Sequence, residues 1–231
     1  MIKATGLNKN YGTLTALDLS DLEIFPGESF GLVGNNGAGK TTFFSLLLDL
    51  IRPSAGNVSS KALNVMGNED WKSYTGSYLD EGFLIDFLNP EEYFEFVSDL
   101  YGIDHASYLS RLDDFAEFFN GEILGRGKLI RELSKGNQKK VGIAAALLPN
   151  PEVVILDEPF PNLDPSSVNR LKKILNQTRE AHDVTFLISS HNLNHITDVC
   201  DRIVVLEKGR IVRDLQTDTS TLQELEEYFA I

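Results

Sequence analysis

The residues best suited to chemistry form a glycine-rich segment at positions 34–42, G-N-N-G-A-G-K-T-T, between a strand-like stretch at 29–33 and an apolar helix predicted at 43–50. It matches the pattern G-x-x-x-x-G-K-[ST], whose inward-pointing N–H groups and helix N-terminus hold phosphate oxygens. Lys40 is expected to reach the β and γ phosphates, and Thr41 to bind Mg²⁺. The alternative is a glycine-rich turn without a ligand. The predicted phosphate-binding residues are Gly34, Asn35, Asn36, Gly37, Ala38, Gly39, Lys40, Thr41 and Thr42.

Two further polar sites follow apolar strands. Asp157 and Glu158 come directly after the run Val153–Leu156, and His191 follows Thr185–Ile188. Ligands bind at the carboxyl ends of strands in open α/β sheets, so one acid can hold Mg²⁺, the other can act on water, and the imidazole can bond a γ-phosphate. Taken singly, these residues could instead be a solvated acidic turn and a capping or core histidine.

The elements that must position these residues alternate between strand and helix, which predicts a parallel α/β core. Residues 2–30 are predicted to form short strands, with turns at 8–10 and 26–28, and 203–213 to form a hairpin. From Asn89, which resembles a helix cap before Pro90, the pattern becomes helical, including a helical stretch at 109–119. A second helix begins near 133 and ends near 148.

Length and charge restrict the function. A chain of 231 residues fits one domain with an inserted subdomain, and a net charge of −13 argues against nucleic acid as a partner. The single cysteine, Cys200, excludes an internal disulfide and fits a reducing compartment. The chain shows neither a signal peptide nor an apolar run of about 20 residues. Any work at a membrane is therefore expected to need another chain.

Taken together, the order of these motifs resembles the ATP-binding subunit of ABC transporters over essentially the whole chain. Residues 34–42 resemble the Walker A motif of that family, and 153–158 its Walker B motif, with Glu158 as the catalytic glutamate. His191 resembles the switch histidine, and 133–137 stands where the signature L-S-G-G-Q belongs. The resemblance also implies nucleotide contacts from Tyr11, which would stack on adenine, and from Ser134, Gly136 and Asp164.

Two motifs depart from the family pattern. Lys135 replaces the first glycine of the signature pair and Asn137 its glutamine, as in the ABC-2-type exporter branch. The rival interpretation is a degenerate, inactive site. In the segment that resembles the Q-loop, Glu81 stands at the glutamine position, where its carboxylate could reach Mg²⁺ or water.

The resemblance implies a P-loop NTPase with a RecA-like core, an N-terminal antiparallel β subdomain and an inserted helical subdomain at about 83–148, the rest of the core being about 1–82 and 149–231. It implies Mg²⁺-dependent ATP hydrolysis between two such subunits, expected to be a homodimer packed head to tail. An integral membrane subunit would use that energy, most simply for export, and would hold the chain on the cytoplasmic face.

The predicted docking surface is the apolar segment 83–88, whose alternative role is internal packing. Two other functions stay open. One is a soluble ABC-type ATPase in translation, repair or iron–sulfur assembly, and the other is a regulator that binds nucleotide without turnover.

Overall fold

The structure, a computed structural model, describes residues 1–230 and builds them from β-strands and α-helices in alternation. The strands are β1 Ile2–Tyr11, β2 Leu14–Ile24, β3 Ser29–Val33, β4 Ala55–Ser60, β5 Leu63–Asn64, β6 Thr75–Tyr78, β7 Val153–Leu156, β8 Thr185–Ser190, β9 Arg202–Glu207 and β10 Arg210–Gln216. The helices are α1 Lys40–Leu47, α2 Pro90–Leu100, α3 His105–Asp113, α4 Ala116–Phe119, α5 Lys135–Leu147, α6 Pro165–His182, α7 Leu193–Thr197 and α8 Thr221–Phe229.

The strands form two sheets. The first has the order β2-β1-β4-β5 and is antiparallel, and the second has the order β10-β9-β3-β8-β7-β6. In the second sheet the strands from β9 to β6 run parallel, while β10 joins the edge as the antiparallel half of the predicted hairpin. This arrangement confirms the predicted α/β core with an N-terminal antiparallel β region.

The parallel sheet is buried on both faces. Every residue of β3, β7 and β8 is buried, which explains why the predicted strand Val153–Leu156 reads as an unbroken apolar run. One hydrophobic cluster covers one face with residues from α2 to α6, and the other packs α1 and the antiparallel sheet against the opposite face. Both faces are therefore covered, and the carboxyl ends of the parallel strands stay free to carry polar residues.

The helical segment lies between β6 and β7. Helix α2 begins as predicted, because Asn89 and Glu92 form a reciprocal capping box around Pro90. The stretch predicted as helical at 109–119 is two helices, since the chain leaves helical geometry at Phe115, the N-cap of α4. Its apolar side chains are nevertheless in the core, as predicted: Leu112, Phe115 and Phe119 are all buried.

Two local predictions were wrong. The turn expected at 8–10 lies inside β1, where a bulge between Lys9 and Asn10 absorbs the irregularity, and the chain turns instead at Gly12, whose φ is +60°. The helix expected at 43–50 is α1, which runs from Lys40 to Leu47. The true start was missed because its N-cap is Gly39, which has no side chain to form the capping hydrogen bond by which a helix start is recognised in a sequence.

Candidate functional site

The predicted phosphate loop is a tight backbone turn between β3 and α1. Gly39 has a φ of +111°, and a Cβ there would lie 2.7 Å from the carbonyl oxygen of Ala16. A Cβ on Gly34 would collide with the carbonyl oxygen of Leu206. Only glycine fits these positions, so the loop can curl around the free N–H groups at the start of α1.

A cavity of about 430 Å³ opens above this loop. Its walls come from the loop, from the start of β2 and from the turn between β9 and β10. The lining residues are Leu14, Thr15, Ala16, Asn36, Gly37, Ala38, Gly39, Lys40, Thr41, Thr42, Glu158 and Lys208. Glu158 is therefore the one predicted site residue outside the loop that shares this cavity within the described part of the chain.

Lys40 links the loop to Glu158. Its ammonium group is buried, donates to the carbonyl oxygen of Gly34 at 2.7 Å and lies 3.4 Å from Oε1 of Glu158. Within residues 1–230 that buried oxygen has this ion pair but no hydrogen-bond partner. A lysine in this position supplies a positive charge to any phosphate held by the loop.

Asp157 is a buried carboxylate with two hydroxyl donors. Thr41 donates to its Oδ2 at 2.5 Å, and Ser189 donates to its Oδ1. Burial raises the pKa of Asp157, and the hydrogen bonds from Ser189 and Thr41 act in the opposite direction. Ser189 was not identified from the sequence, although its position at the carboxyl end of β8 is typical of a residue that contacts a ligand site.

These donors fit the metal that accompanies a nucleotide. Mg²⁺ in such sites takes one or two protein oxygens and completes its shell with phosphates and waters. Within residues 1–230 no group of three or more His, Cys, Asp and Glu side chains could hold a metal by itself. The adjoining hydroxyl of Thr41 and carboxylate of Asp157 provide the few hard oxygen ligands that a nucleotide-bound Mg²⁺ requires.

Glu158 has a contact at each of its four polar atoms. Besides Lys40, His191 approaches the carboxylate, with Nδ1 at 2.9 Å from Oε2. The backbone N–H donates to Oγ of Ser189 at 2.9 Å, and the backbone carbonyl accepts from the ammonium group of Lys139 at 2.7 Å. The carboxylate thus faces the cavity between Lys40 and His191, and the backbone behind it is fixed. Lys139 was not identified from the sequence.

The predicted signature residues lie elsewhere. Ser134 is exposed and caps α5 by accepting the N–H of Asn137 at 3.2 Å, and neither Ser134 nor Gly136 lines the cavity. A Cβ on Gly136 would lie 2.5 Å from the carbonyl oxygen of Asn162, so this glycine allows two backbones to approach closely. Asp164 caps α6 by accepting the N–H groups of Ser166 and Ser167. The hydroxyls of these two serines, helped by the N–H of Ser167, lower the pKa of Asp164. The structure does not bring these residues to the loop of the same chain.

Tyr11 and Glu81 also lie outside the lining of the cavity. The Tyr11 ring is 51% exposed, and the ammonium group of Lys9 is 4.9 Å from its centroid. It belongs to the same hairpin as Leu14, which does line the cavity. Glu81 accepts the hydroxyl of Tyr78 at 2.9 Å. Their predicted roles in binding adenine and metal stay predictions.

A second cavity, of about 360 Å³, lies between the helical segment and the parallel sheet. Tyr78, Phe83, Leu84 and Val97 are among the residues that line it. Phe83 is 58% exposed and Phe87 63%, which is unusual for phenylalanine. We call this cavity the groove; Phe83 lines it, and Phe87 does not. Among residues 1–230 no helix has the length and apolar character needed to cross a membrane.

Family comparison points to one class of protein. The model described as ABC transporter matches residues 17–161, which is more than half of the chain. A second model, described as an AAA domain, putative AbiEii toxin, Type IV TA system, matches residues 129–197, less than a third of it.

Three curated proteins illustrate the similarity. An uncharacterized ABC transporter ATP-binding protein of Bacillus subtilis, YhaQ, is 34% identical over 92% of this chain and 70% of its own length. The bacitracin transport ATP-binding protein BcrA of Bacillus licheniformis is 29% identical over 94% of this chain and 70% of its own. The methionine import ATP-binding protein MetN 2 of Bacillus thuringiensis is 32% identical over 87% and 60%. The chain thus spans between 60% and 70% of the length of these relatives.

Solved structures share the fold. One described as the ATP binding subunit of an ABC transporter superposes with a TM-score of 0.87 at 27% identity, covering 100% of this chain and 98% of that one. The ATP-binding cassette MJ0796, in a dimeric post-hydrolysis state bound to ADP and Pi, superposes with a TM-score of 0.84 at 22% identity, covering 94% and 99%. At that identity the second likeness concerns the fold alone.

Proposed function

Because this chain belongs to the ABC transporter family of ATP-binding proteins, we propose that it hydrolyses ATP to power a separate membrane subunit. The observation that carries the proposal is the position of Glu158 at the cavity above the phosphate loop, between Lys40 and His191. A carboxylate held there can take a proton from water. In this proposal Lys40, by its charge, and His191, by a hydrogen bond, contact the phosphate that the water attacks.

The proposed reaction divides the work among these side chains. The N–H groups at the start of α1 hold the phosphates, and Lys40 exchanges its contact with the Gly34 carbonyl for the β and γ phosphate oxygens. Glu158 orients and polarises the attacking water, and His191 donates a hydrogen bond to the γ-phosphate. Thr41 and Asp157 would hold Mg²⁺, which neutralises charge on the phosphate oxygens.

A second copy of the chain would complete the site. Ser134 and Gly136 lie outside the cavity of their own subunit, and Ser134 is exposed at the N-terminus of α5. In a head-to-tail homodimer this helix start would face the phosphates bound by the partner subunit. Lys135 would add a positive charge there without blocking the backbone N–H groups. We expect Asp164 to lie at the same interface and to contact the nucleotide bound by the partner subunit. We expect Tyr11 to stack on the adenine of the nucleotide bound by its own subunit.

The membrane subunit is proposed to bind in the groove. Phe83 provides exposed apolar surface at this groove, and a short helix is the usual occupant of such a groove. The chain would then work on the cytoplasmic face of the membrane through that partner. We favour export as the direction of transport because Lys135 makes the signature segment resemble that of the ABC-2-type exporter branch. The relatives with named cargo include one for bacitracin transport and one for methionine import.

Two substitutions test the catalytic part of the proposal. Glu158→Gln should keep ATP binding and lower kcat by about 100- to 10,000-fold, the usual contribution of a general base. Lys40→Ala should instead weaken ATP binding itself. Binding can be followed with a fluorescent ATP analogue, and hydrolysis by phosphate release. If Glu158→Gln turns over ATP at nearly the parental rate, Glu158 is not the general base. If Lys40→Ala binds ATP with parental affinity, the loop does not bind the phosphates.

The docking surface has a separate test. Phe83→Asp should abolish cosedimentation with membranes that contain the partner, while ATP binding stays unchanged, because a buried unpaired charge opposes association. Phe25→Asp is the matched control, since Phe25 is 52% exposed but lies outside the groove. If folded Phe83→Asp still cosediments like the control, the partner binds elsewhere.

A further inference from the structure

A buried lysine behind the catalytic carboxylate has no role in the proposed reaction. Lys139, in α5, is 5% exposed, and its ammonium group donates to the backbone carbonyl of Glu158 at 2.7 Å. The same ammonium group lies 5.8 Å from the ring centroid of Tyr78. Lysine is rarely this buried, because desolvating its charge is costly unless acceptors and negative charges surround it. Glu81, Glu158 and Asp157 provide those charges and oppose the lowering of its pKa by burial.

The backbone that Lys139 contacts is in a strained conformation. Glu158 has a φ of +46°, in the left-handed region that residues other than glycine rarely adopt, and it precedes Pro159. Such a conformation persists only where neighbouring groups hold it. Here the Ser189 hydroxyl accepts the N–H of Glu158, and Lys139 donates to its carbonyl. Because the backbone orientation sets where the side chain points, these two contacts aim the carboxylate at the cavity.

The next residue shows that burial alone does not explain this arrangement. Lys140 is 3% exposed and lies 5.8 Å from the ring centroid of Phe118, so the two lysines have similar surroundings. Its nearest carboxylate, however, is Asp164 at 3.9 Å. The contact with Glu158 is therefore specific to Lys139.

We propose that Lys139 is a positioning residue, which holds the backbone of Glu158 in the left-handed conformation and so directs its carboxylate toward the attacking water. The inference rests on the proposed function, in which Glu158 polarises that water. Lys139 does not line the cavity, and its contact with the site is to the backbone carbonyl of Glu158. Its loss should therefore change the rate of the chemical step and leave the binding of ATP as it is.

The test compares Lys139→Met with the parent in the full chain. Methionine keeps the length and apolar packing of the side chain but removes the donor and its charge. We expect kcat to fall about 10- to 100-fold, as when a reacting group is misplaced by about 1 Å, with KM for ATP unchanged. Lys139→Arg keeps a charged donor and should retain clearly more activity. Lys140→Met, measured by thermal melting, controls for the loss of a buried lysine.

A double substitution separates positioning from a general effect on the fold. With Glu158→Gln in place, adding Lys139→Met should change the residual rate by no more than about twofold, since the group that it positions is already absent. If the added loss equals that in the parent, if KM rises together with the fall in kcat, or if Lys139→Arg is as impaired as Lys139→Met, the inference is wrong. If Lys139→Met has parental activity while Glu158→Gln is inactive, the inference about Lys139 is wrong and the proposed function still holds. An active Glu158→Gln would overturn the proposed function.

Discussion

Replacing Ser189 with alanine should destabilise the protein more than any other removal of a single hydroxyl near the site. Ser189 is fully buried, donates to Oδ1 of Asp157 and accepts the N–H of Glu158 at 2.9 Å. Ser189→Ala removes a hydrogen bond to a charged group, worth about 1.5–3 kcal/mol, and leaves the partly buried N–H of Glu158 unpaired, at a cost of about 1 kcal/mol. Since such terms are not additive, we expect a loss of about 2–4 kcal/mol in the free energy of unfolding.

The neighbouring serine is a matched control. Ser190 is equally buried, at the end of the same strand, but its hydroxyl accepts a single backbone N–H, from Asn192 at 2.9 Å. Ser190→Ala should therefore cost about 1 kcal/mol. For a chain of this size each kcal/mol lowers Tm by about 2–4 °C, so thermal melting resolves the two variants.

The loss in the free energy of unfolding caused by Ser189→Ala should also depend on pH. The hydrogen bond from Ser189 lowers the pKa of Asp157, although burial keeps that pKa above its ordinary value. The bond therefore favours the ionised carboxylate. Its contribution is fully present above the higher pKa that Asp157 has without the bond, and is lost as pH falls through the pKa that it has with the bond. At acidic pH the stability loss in Ser189→Ala should shrink to the cost of the unpaired N–H of Glu158, which does not depend on the charge of Asp157. A loss no larger than that of Ser190→Ala, or one that does not change with pH, would refute this account of the hydroxyl.

Substitutions at two other positions have clear expected outcomes. Tyr11→Ala should lower ATP affinity about tenfold and Tyr11→Phe much less, because stacking needs the ring and not the hydroxyl; equal losses in a binding titration would assign the role to the hydroxyl. Gly136→Ala should destabilise the fold by about 1–3 kcal/mol in denaturant unfolding, because its Cβ would lie 2.5 Å from the Asn162 carbonyl oxygen. An unchanged midpoint would show that this contact adapts freely.

Local signals in the sequence predicted the elements that bear the site. The apolar run of β7 matches its observed bounds, and the cap at Asn89 matches the start of α2. Both depend on residues adjacent in the chain, so periodicity and capping rules apply directly. The start of α1 was missed because Gly39 offers no side-chain signal, and the turn at 8–10 because polar residues there sit in a bulged strand.

The surroundings of Glu158 could not be predicted in the same way. Its backbone contacts come from Ser189, 31 residues away, and Lys139, 19 residues away in the other direction. Two consecutive lysines in a helix indicate a solvated face, whereas Lys139 and Lys140 are both buried. Only the packing of α5 against the carboxyl end of β7 shows that one of these charges meets a strained carbonyl. Residue types and motifs therefore locate the reacting groups, and the tertiary structure shows what holds them in place.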